Sequence, residues 1–212
     1  MPFDLEREAL IASGIQKSDL IDTYRGRLDY LYGEFRHQMK FPCDSLSQPK
    51  ALFTWLWQQK PDRYKPGSYY RLNNVIDAQV DQVTKRVGNC LGLTLLYNCL
   101  LTKMGLRAGA LNLENAFDIG PHVLTVLKIE ETLIDIENIF PHGFDYTGHI
   151  DNPSRTIWGA KELVADIYLT SANLLFDEGR FQDAIKNYDL AIDLNSQYEK
   201  ARINRAICLM RL

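Results

Sequence analysis

Residues 88–105 read GNCLGLTLLYNCLLTKMG, and the fold that the sequence predicts is built around this stretch. Gly88 and Asn89 are turn formers, and the leucine-rich run after them is apolar on most sides, which is typical of a deeply buried helix. Gly105 is the kind of residue at which a helix ends. The stretch therefore predicts a central helix that begins near Cys90 and is enclosed by the rest of the chain.

Short apolar runs after this helix predict strands, and Glu130-Glu131 suits a hairpin turn between the last two of them. The runs read AGALNL (108–113), HVLTVLKI (122–129) and LIDIE (133–137). Apolar residues at helical spacing also predict helices within residues 4–36, near 51–57 and over 72–83. Helices combined with strands that are neighbours along the chain indicate an α+β fold with a small antiparallel sheet.

The C-terminal part of the chain has the composition of helices and shows an internal period. Ala172 and Ala206 are 34 residues apart at equivalent positions of the pattern. This period is typical of a helix-turn-helix repeat, and it predicts one full repeat and the first helix of a second, which begins near Glu199. We therefore expect two parts, residues 1–158 with the sheet and residues 159–212 with only helices.

Composition and charge exclude several classes of protein. The chain has 212 residues and a formal net charge of −3, and it has no polybasic run, so nucleic acid and anionic membranes are not expected as partners. No signal peptide and no membrane-spanning apolar run is predicted. The four cysteines, which form no C-x-x-C pair, are Cys43, Cys90, Cys99 and Cys208. Reduced thiols and a cytoplasmic location are the expectation.

Three polar side chains on the predicted elements form a candidate catalytic set. Cys90 begins the central helix, where unpaired amides and the helix dipole favour a thiolate. His122 begins a strand, and Asp135 lies on the next strand, which the turn at Glu130-Glu131 brings alongside. A thiol, an imidazole and a carboxylate are the nucleophile, the base and the base-orienting acid of thiol-dependent acyl transfer. The sequence therefore predicts Cys90, His122 and Asp135 as catalytic residues.

Each of these residues also has a purely structural interpretation. Cys90 could be a helix cap or a buried thiol, His122 could be a turn residue after Pro121, and Asp135 could be a polar side chain on the face opposite its isoleucine neighbours. Asn138 is a second, weaker candidate for orienting His122. The order of the three residues and the elements that carry them favour the catalytic interpretation.

Other kinds of site find less support in the sequence. Cys90, His122, His142 and His149 do not have the spacing of a short zinc motif, so no metal is predicted. The chain has no glycine-rich phosphate loop and no serine-centred nucleophile elbow, and no cofactor is expected. The amides at the start of the central helix, near Asn89, could instead hold an oxyanion.

The same motifs resemble those of a known group of proteins. GNCLGLT before a leucine-rich helix, Pro-His on a strand and Ile-Asp on the next are similar to the transglutaminase-like superfamily. The segment LNNVID (residues 72–77) and the helical repeats resemble its SirB-type branch, in which this domain precedes tetratricopeptide repeats. The resemblance implies a papain-like site at Cys90, His122 and Asp135, and a position for Asn73 near the thiol as a helper for the oxyanion.

Two functions follow from this interpretation. The first is a cysteine hydrolase or acyltransferase that acts on an amide or ester, through an acyl-thioester on Cys90. The second is a non-catalytic scaffold that binds a partner through its repeats. A peptide or protein partner is expected in both cases, and the sequence does not determine the oligomeric state.

Overall fold

The computed structural model describes residues 3–38 and 46–212, and Cys43 lies outside these ranges. The helices of the described residues are α1 (Leu5–Ala12), α2 (Ser18–Gln38), α3 (Ser47–Gln59), α4 (Leu72–Val80), α5 (Cys90–Lys103), α6 (Ala160–Asp177), α7 (Phe181–Leu194) and α8 (Glu199–Leu209). The strands are β1 (Ala108–Ala116), β2 (Gly120–Ile129), β3 (Thr132–Ile136) and β4 (Thr156–Trp158), which form an antiparallel sheet in the order β3-β2-β1-β4. The prediction of an α+β fold with a small antiparallel sheet is confirmed.

Helix α5 is the buried centre of the fold, as its leucine-rich sequence predicts. It begins at Cys90 because Asn89 caps it, with Oδ1 of Asn89 accepting a hydrogen bond of 3.0 Å from the amide of Gly92. Gly92 also allows a close approach, since a Cβ atom there would lie 2.7 Å from the carbonyl oxygen of Tyr69. Gly105, with φ of +76°, follows the last turn of the helix. Local sequence therefore fixes where the helix starts and stops, and burial fixes where it lies.

Side chains alternate between the two faces of the sheet, and this alternation decides what surrounds each strand. Val123 and Leu127 belong to the main hydrophobic core, which also includes most of α5. Leu124 and Val126 form a second, smaller core with residues of β1. His122 is separated from Leu124 and Val126 by even numbers of residues, so it belongs to the face of the second core.

Two elements differ from the sequence-based prediction. Strand β4 was not predicted, because it has only three residues and forms by pairing with β1 at the edge of the sheet. The predicted helix over residues 72–83 ends at Val80, where the carboxylate of Asp81 accepts hydrogen bonds from the amides of Val83 and Thr84. This local turn replaces the next helical hydrogen bonds.

The C-terminal helices pack where the repeat pattern places small residues. Ala172 of α6 and Ala184 and Ala191 of α7 are fully buried, which lets the two helices approach closely. Helix α8 begins at Glu199, where the period predicts a second repeat. The main hydrophobic core includes side chains from both sides of residue 158, and the division of the chain at this residue stays a prediction. None of the described helices is long and apolar enough to cross a membrane.

Candidate active site

Cys90 is the first residue of α5 and is partly exposed. Helix geometry leaves the amides of the first turn, including those of Cys90 and Leu91, without partners inside the helix. Asn89 is held by its own contacts: its Nδ2 donates to the carbonyl of Gly67 at 2.8 Å, and its Oδ1 caps the helix. The side chain of Asn89 is therefore committed to the helix start, and the backbone amides are the donors that remain for an oxyanion.

The imidazole of His122 has an acidic group on two sides. Its Nε2 lies 2.7 Å from Oε2 of Glu137, and Cys90, which lines the same cavity, is close enough to raise the pKa of the ring. Because Glu137 occupies Nε2, Nδ1 is the nitrogen left for the thiol. The ring is 8% exposed, and the edge of Phe117 packs against it at 5.5 Å between ring centroids. The structure therefore brings Cys90 and His122 together, as the sequence predicts, but supplies a carboxylate that was not predicted.

The environment of His122 favours the imidazolium. Burial lowers the pKa of His122, but the hydrogen bonds with Cys90 and Glu137 and the negative charges of these two groups outweigh burial and raise it from 6.5 to about 10. Burial raises the pKa of Glu137, but the hydrogen bonds and charge of His122 hold it below its usual value. An imidazolium that is held by a carboxylate and lies beside a thiol is typical of an activated cysteine.

The prediction that Asp135 orients His122 is wrong. Asp135 pairs with Val126 across the β2–β3 hairpin, four positions along β2 from His122, or about 13 Å at the rise of a strand. Glu137 continues the same register opposite Leu124, one step diagonally from His122 on the same face. Both carboxylates lie on the face of the sheet that carries His122, but only Glu137 is near enough along the strand to reach the imidazole.

Asp135 has a structural partner instead. Arg155 binds both of its carboxylate oxygens, with Nη1–Oδ2 and Nη2–Oδ1 distances of 2.6 and 3.2 Å. The carbonyl oxygen of Asp135 also accepts a hydrogen bond of 2.8 Å from the amide of Tyr146. Asp135 therefore fastens the loop after β3 over the face of the sheet that carries His122.

The asparagines predicted as helpers have other roles as well. Nδ2 of Asn138 donates to Oγ1 of Thr125 at 2.9 Å and to the carbonyl of Ile136 at 3.3 Å, within a buried polar network between α5 and the sheet. Nδ2 of Asn73 donates to Asn74 at 2.9 Å, and its amide also bonds with Tyr24 of α2. The amide of Asn138 is used within this network and does not bond to His122, so its predicted orienting role is wrong, whereas the role of Asn73 near the thiol stays a prediction.

A second histidine lies beside the carboxylate. His149 is 3% exposed, and its Nε2 lies 3.5 Å from Oε2 of Glu137 without a well-aligned hydrogen bond. One ligand atom from each of His122, Glu137 and His149 lies within 4.8 Å of the others, so the three could hold a metal ion. The direct contact of 2.7 Å between His122 and Glu137 uses two of these atoms, however, and the observed arrangement is that of a hydrogen-bonded acid and base. His142 lines a different cavity, with Phe53 and Phe144.

A cavity of about 270 Å³ opens over the thiol. Cys90 and His122 form one side of it, and residues of α6 and the start of α8 form the other. The volume is slightly below the usual range of small-molecule pockets, so it suits a single side chain of a larger substrate. The C-terminal helices therefore cover the candidate site and do not simply extend from the sheet domain.

Glu137 could have been found from the sequence through the turn. A two-residue turn at Glu130-Glu131 pairs Ile129 with Thr132, and this register places Leu124 opposite Glu137. The length of that turn decides which carboxylate lies near His122.

Comparisons of the chain with known protein families, with curated proteins and with solved structures found no match.

Proposed function

We propose that this protein is a thiol-dependent hydrolase or acyltransferase that acts on an amide or ester bond. Cys90 is the nucleophile, His122 carries the proton and Glu137 orients His122. One observation carries the proposal: the buried imidazole of His122 lies between a thiol at a helix N-terminus and a buried carboxylate. The order of these groups agrees with the resemblance to the transglutaminase-like superfamily and its SirB-type branch, with Glu137 in place of Asp135.

The proposed reaction has two steps. The thiolate of Cys90 attacks the carbonyl carbon, and the amides at the start of α5 bind the oxyanion that forms. The tetrahedral adduct collapses to an acyl-thioester, and the imidazolium of His122 gives its proton to the departing amine or alcohol. His122 then takes a proton from water or from an acceptor amine, which attacks the thioester and releases Cys90. Glu137 keeps Nδ1 of the ring directed at the sulfur and stabilises its positive charge.

The chemistry sets conditions on partners and location. Neither step needs a metal or another cofactor. A peptide or protein is the proposed substrate, because the cavity beside Cys90 has room for one side chain and not for a whole drug-sized molecule. The thiol must stay reduced, which a cytoplasmic location would provide.

A generic acyl donor tests the proposal without knowledge of the substrate. The protein is incubated with p-nitrophenyl acetate, and acetylation of Cys90 is followed by intact mass and peptide mapping. We expect a hydroxylamine-sensitive acetyl group on Cys90 that forms faster than on 2-mercaptoethanol, and much more slowly in His122→Ala. Buried Cys99 and Cys208 serve as internal controls. Acetylation of Cys90 at the rate of the model thiol, with and without His122, would contradict the proposal.

A second candidate function is a non-catalytic scaffold. The observation in its favour is the exposed apolar surface of α8, where Ile203 and Leu209 are each 50% exposed. A scaffold predicts that Cys90→Ala and His122→Ala bind the partner as the wild type does, and that Ile203→Asp does not. Thiol reactivity and partner binding therefore separate the two functions.

A further inference from the structure

The cavity over Cys90 contains one carboxylate that the proposed chemistry does not use. Asp166 of α6 lies in the wall that faces Cys90 and His122. Its Oδ1 accepts a hydrogen bond of 2.6 Å from the hydroxyl of Tyr198, which lies in the same wall. Tyr198 fixes the direction of the carboxylate, and Oδ2 is left for another partner.

No cation of the described part of the chain forms an ion pair with Asp166. The nearest candidate is Lys200, which also lines the cavity, but its ammonium group pairs with the carboxylate of Glu114. The surroundings of Asp166 raise its pKa from 3.8 to about 6, chiefly through burial. The group is therefore mostly ionised at pH 7 and above, and it is a charge beside the thiol that no side chain neutralises directly.

The groove that continues from this cavity is also acidic. A neighbouring cavity of about 640 Å³ shares Asn112, Tyr198 and Lys200 with the first. Its walls add the carboxylates of Glu114, Glu162 and Glu199. The cations that line the two cavities are Lys200 and the imidazolium of His122, and Glu137 offsets the charge of His122. A groove with an excess of carboxylates attracts cationic ligands and repels anionic ones.

We infer that the cavity beside Cys90 is a subsite for a cationic group of the substrate, a lysine or arginine side chain next to the bond that is cleaved. This inference rests on the proposed function, since it assigns the specificity of the same site. Asp166 would bind the ammonium or guanidinium group, and Tyr198 would hold the carboxylate in place. The volume of about 270 Å³ suits one long side chain.

Charged thiol reagents test the subsite without a known substrate. Methanethiosulfonates transfer their sulfenyl group to a thiolate and release methanesulfinate, and they exist in matched forms: aminoethyl (cationic), sulfonatoethyl (anionic) and methyl (neutral). The rates on Cys90 are measured at pH 7.5 and divided by the rates on 2-mercaptoethanol. We expect the normalised cation-to-anion ratio to exceed one by about tenfold, as unit charges within a Debye length produce.

Two isosteric variants identify the source of the preference. Asp166→Asn keeps an oxygen that can accept the Tyr198 hydroxyl and removes the charge, so we expect the ratio to fall about fivefold. Asp22→Asn makes the same change in net charge on the exposed face of α2 and should leave the ratio unchanged. The neutral reagent should react equally fast with all three proteins, because the thiol and imidazole are untouched.

The outcomes distinguish the subsite from the function. A ratio near one in the wild type, or an equal ratio in Asp166→Asn, overturns the subsite, while fast reaction with the neutral reagent leaves the function in place. Neutral reaction no faster than that of 2-mercaptoethanol, in the wild type and in His122→Ala, overturns the proposed function and the subsite with it. The wild-type ratio decides the question even if Asp166→Asn does not fold.

Discussion

Two isosteric substitutions on one edge of the sheet separate the carboxylate that serves His122 from the one that does not. Glu137→Gln removes the charge that lies 2.7 Å from Nε2 of His122. Asp135→Asn removes a charge on the same face, two residues earlier, which binds Arg155. The variants differ in net charge from the wild type by the same amount, so each is the control for the other.

The expected size of the effect follows from the hydrogen bond. A buried bond to a charged group contributes about 1.5–3 kcal/mol, or one to two orders of magnitude in an equilibrium constant. His122 in the wild type has its pKa raised to about 10, although burial opposes this, and Glu137 is one of the two groups responsible. We therefore expect Glu137→Gln to reduce the population of the thiolate–imidazolium pair about 10- to 100-fold. The rate of Cys90 alkylation at pH 7 should fall in proportion.

The assay is the rate of carbamidomethylation of Cys90 by iodoacetamide between pH 5 and 9, with each variant shown to be folded by circular dichroism. Asp135→Asn should be less stable by about 1–3 kcal/mol, because Arg155 loses its bidentate partner. While folded, however, it should alkylate at the wild-type rate. The two substitutions thus differ in reactivity: only Glu137→Gln should slow alkylation, although each removes a buried charged contact that stabilises the fold.

The reasoning is refuted if Asp135→Asn slows alkylation and Glu137→Gln does not. It is also refuted if both variants react at the wild-type rate, since the carboxylate would then have no influence on the imidazole. An equal fall in the rate of Cys90 alkylation in both variants would mean that the loop held by Asp135 and Arg155 positions the site. Limited proteolysis would then have to show that this loop is displaced in both proteins.

The other predictions concern stability. The pKa of His122 is higher in the folded protein, about 10, than the unfolded value of 6.5, so its contribution is complete below pH 6.5 and is lost as the pH rises towards 10. In Cys90→Ala, where no thiol titrates beside the ring, urea unfolding should show the free energy of unfolding falling as the pH rises above 6.5, by up to about 1.4 kcal/mol per pH unit, and less steeply in the double variant Cys90→Ala/Glu137→Gln; parallel curves would contradict this. Ala184→Leu should overpack the contact between α6 and α7 and cost about 1–3 kcal/mol in thermal melts, whereas Gln182→Leu on the exposed side of α7 should be nearly neutral.

Local patterns in the sequence predicted the elements that carry the chemistry. The turn at Gly88-Asn89 and the leucine-rich run predicted a helix that begins at Cys90, and the helix does begin there. The alternating residues from His122 and the turn residues Glu130-Glu131 predicted the β2–β3 hairpin, and the structure begins β2 two residues earlier, at Gly120. These features depend on contacts within a few residues, which is why a single sequence is enough to predict them.

Contacts between distant segments were beyond such patterns. The three residues of β4 form a strand only because β1 offers a free edge, and Asp166 reaches the cavity of Cys90 only because α6 packs across the sheet domain. Periodicity states which face a side chain takes and does not state what lies opposite it. For this reason the position of the C-terminal helices over the site was not predicted.

The sequence by itself determined the helix that presents Cys90, the strand that carries His122 and the neighbouring strand that carries the carboxylates, while the length of the turn between the strands fixed their shared face. Asp135 and Glu137 share that face, and alternation cannot distinguish residues that are two positions apart. Only the tertiary structure decided between them. The register of the hairpin places Glu137 one diagonal step from His122, and Arg155 of the following loop binds the carboxylate of Asp135. Distance along a strand and competition for a partner are properties of the folded chain.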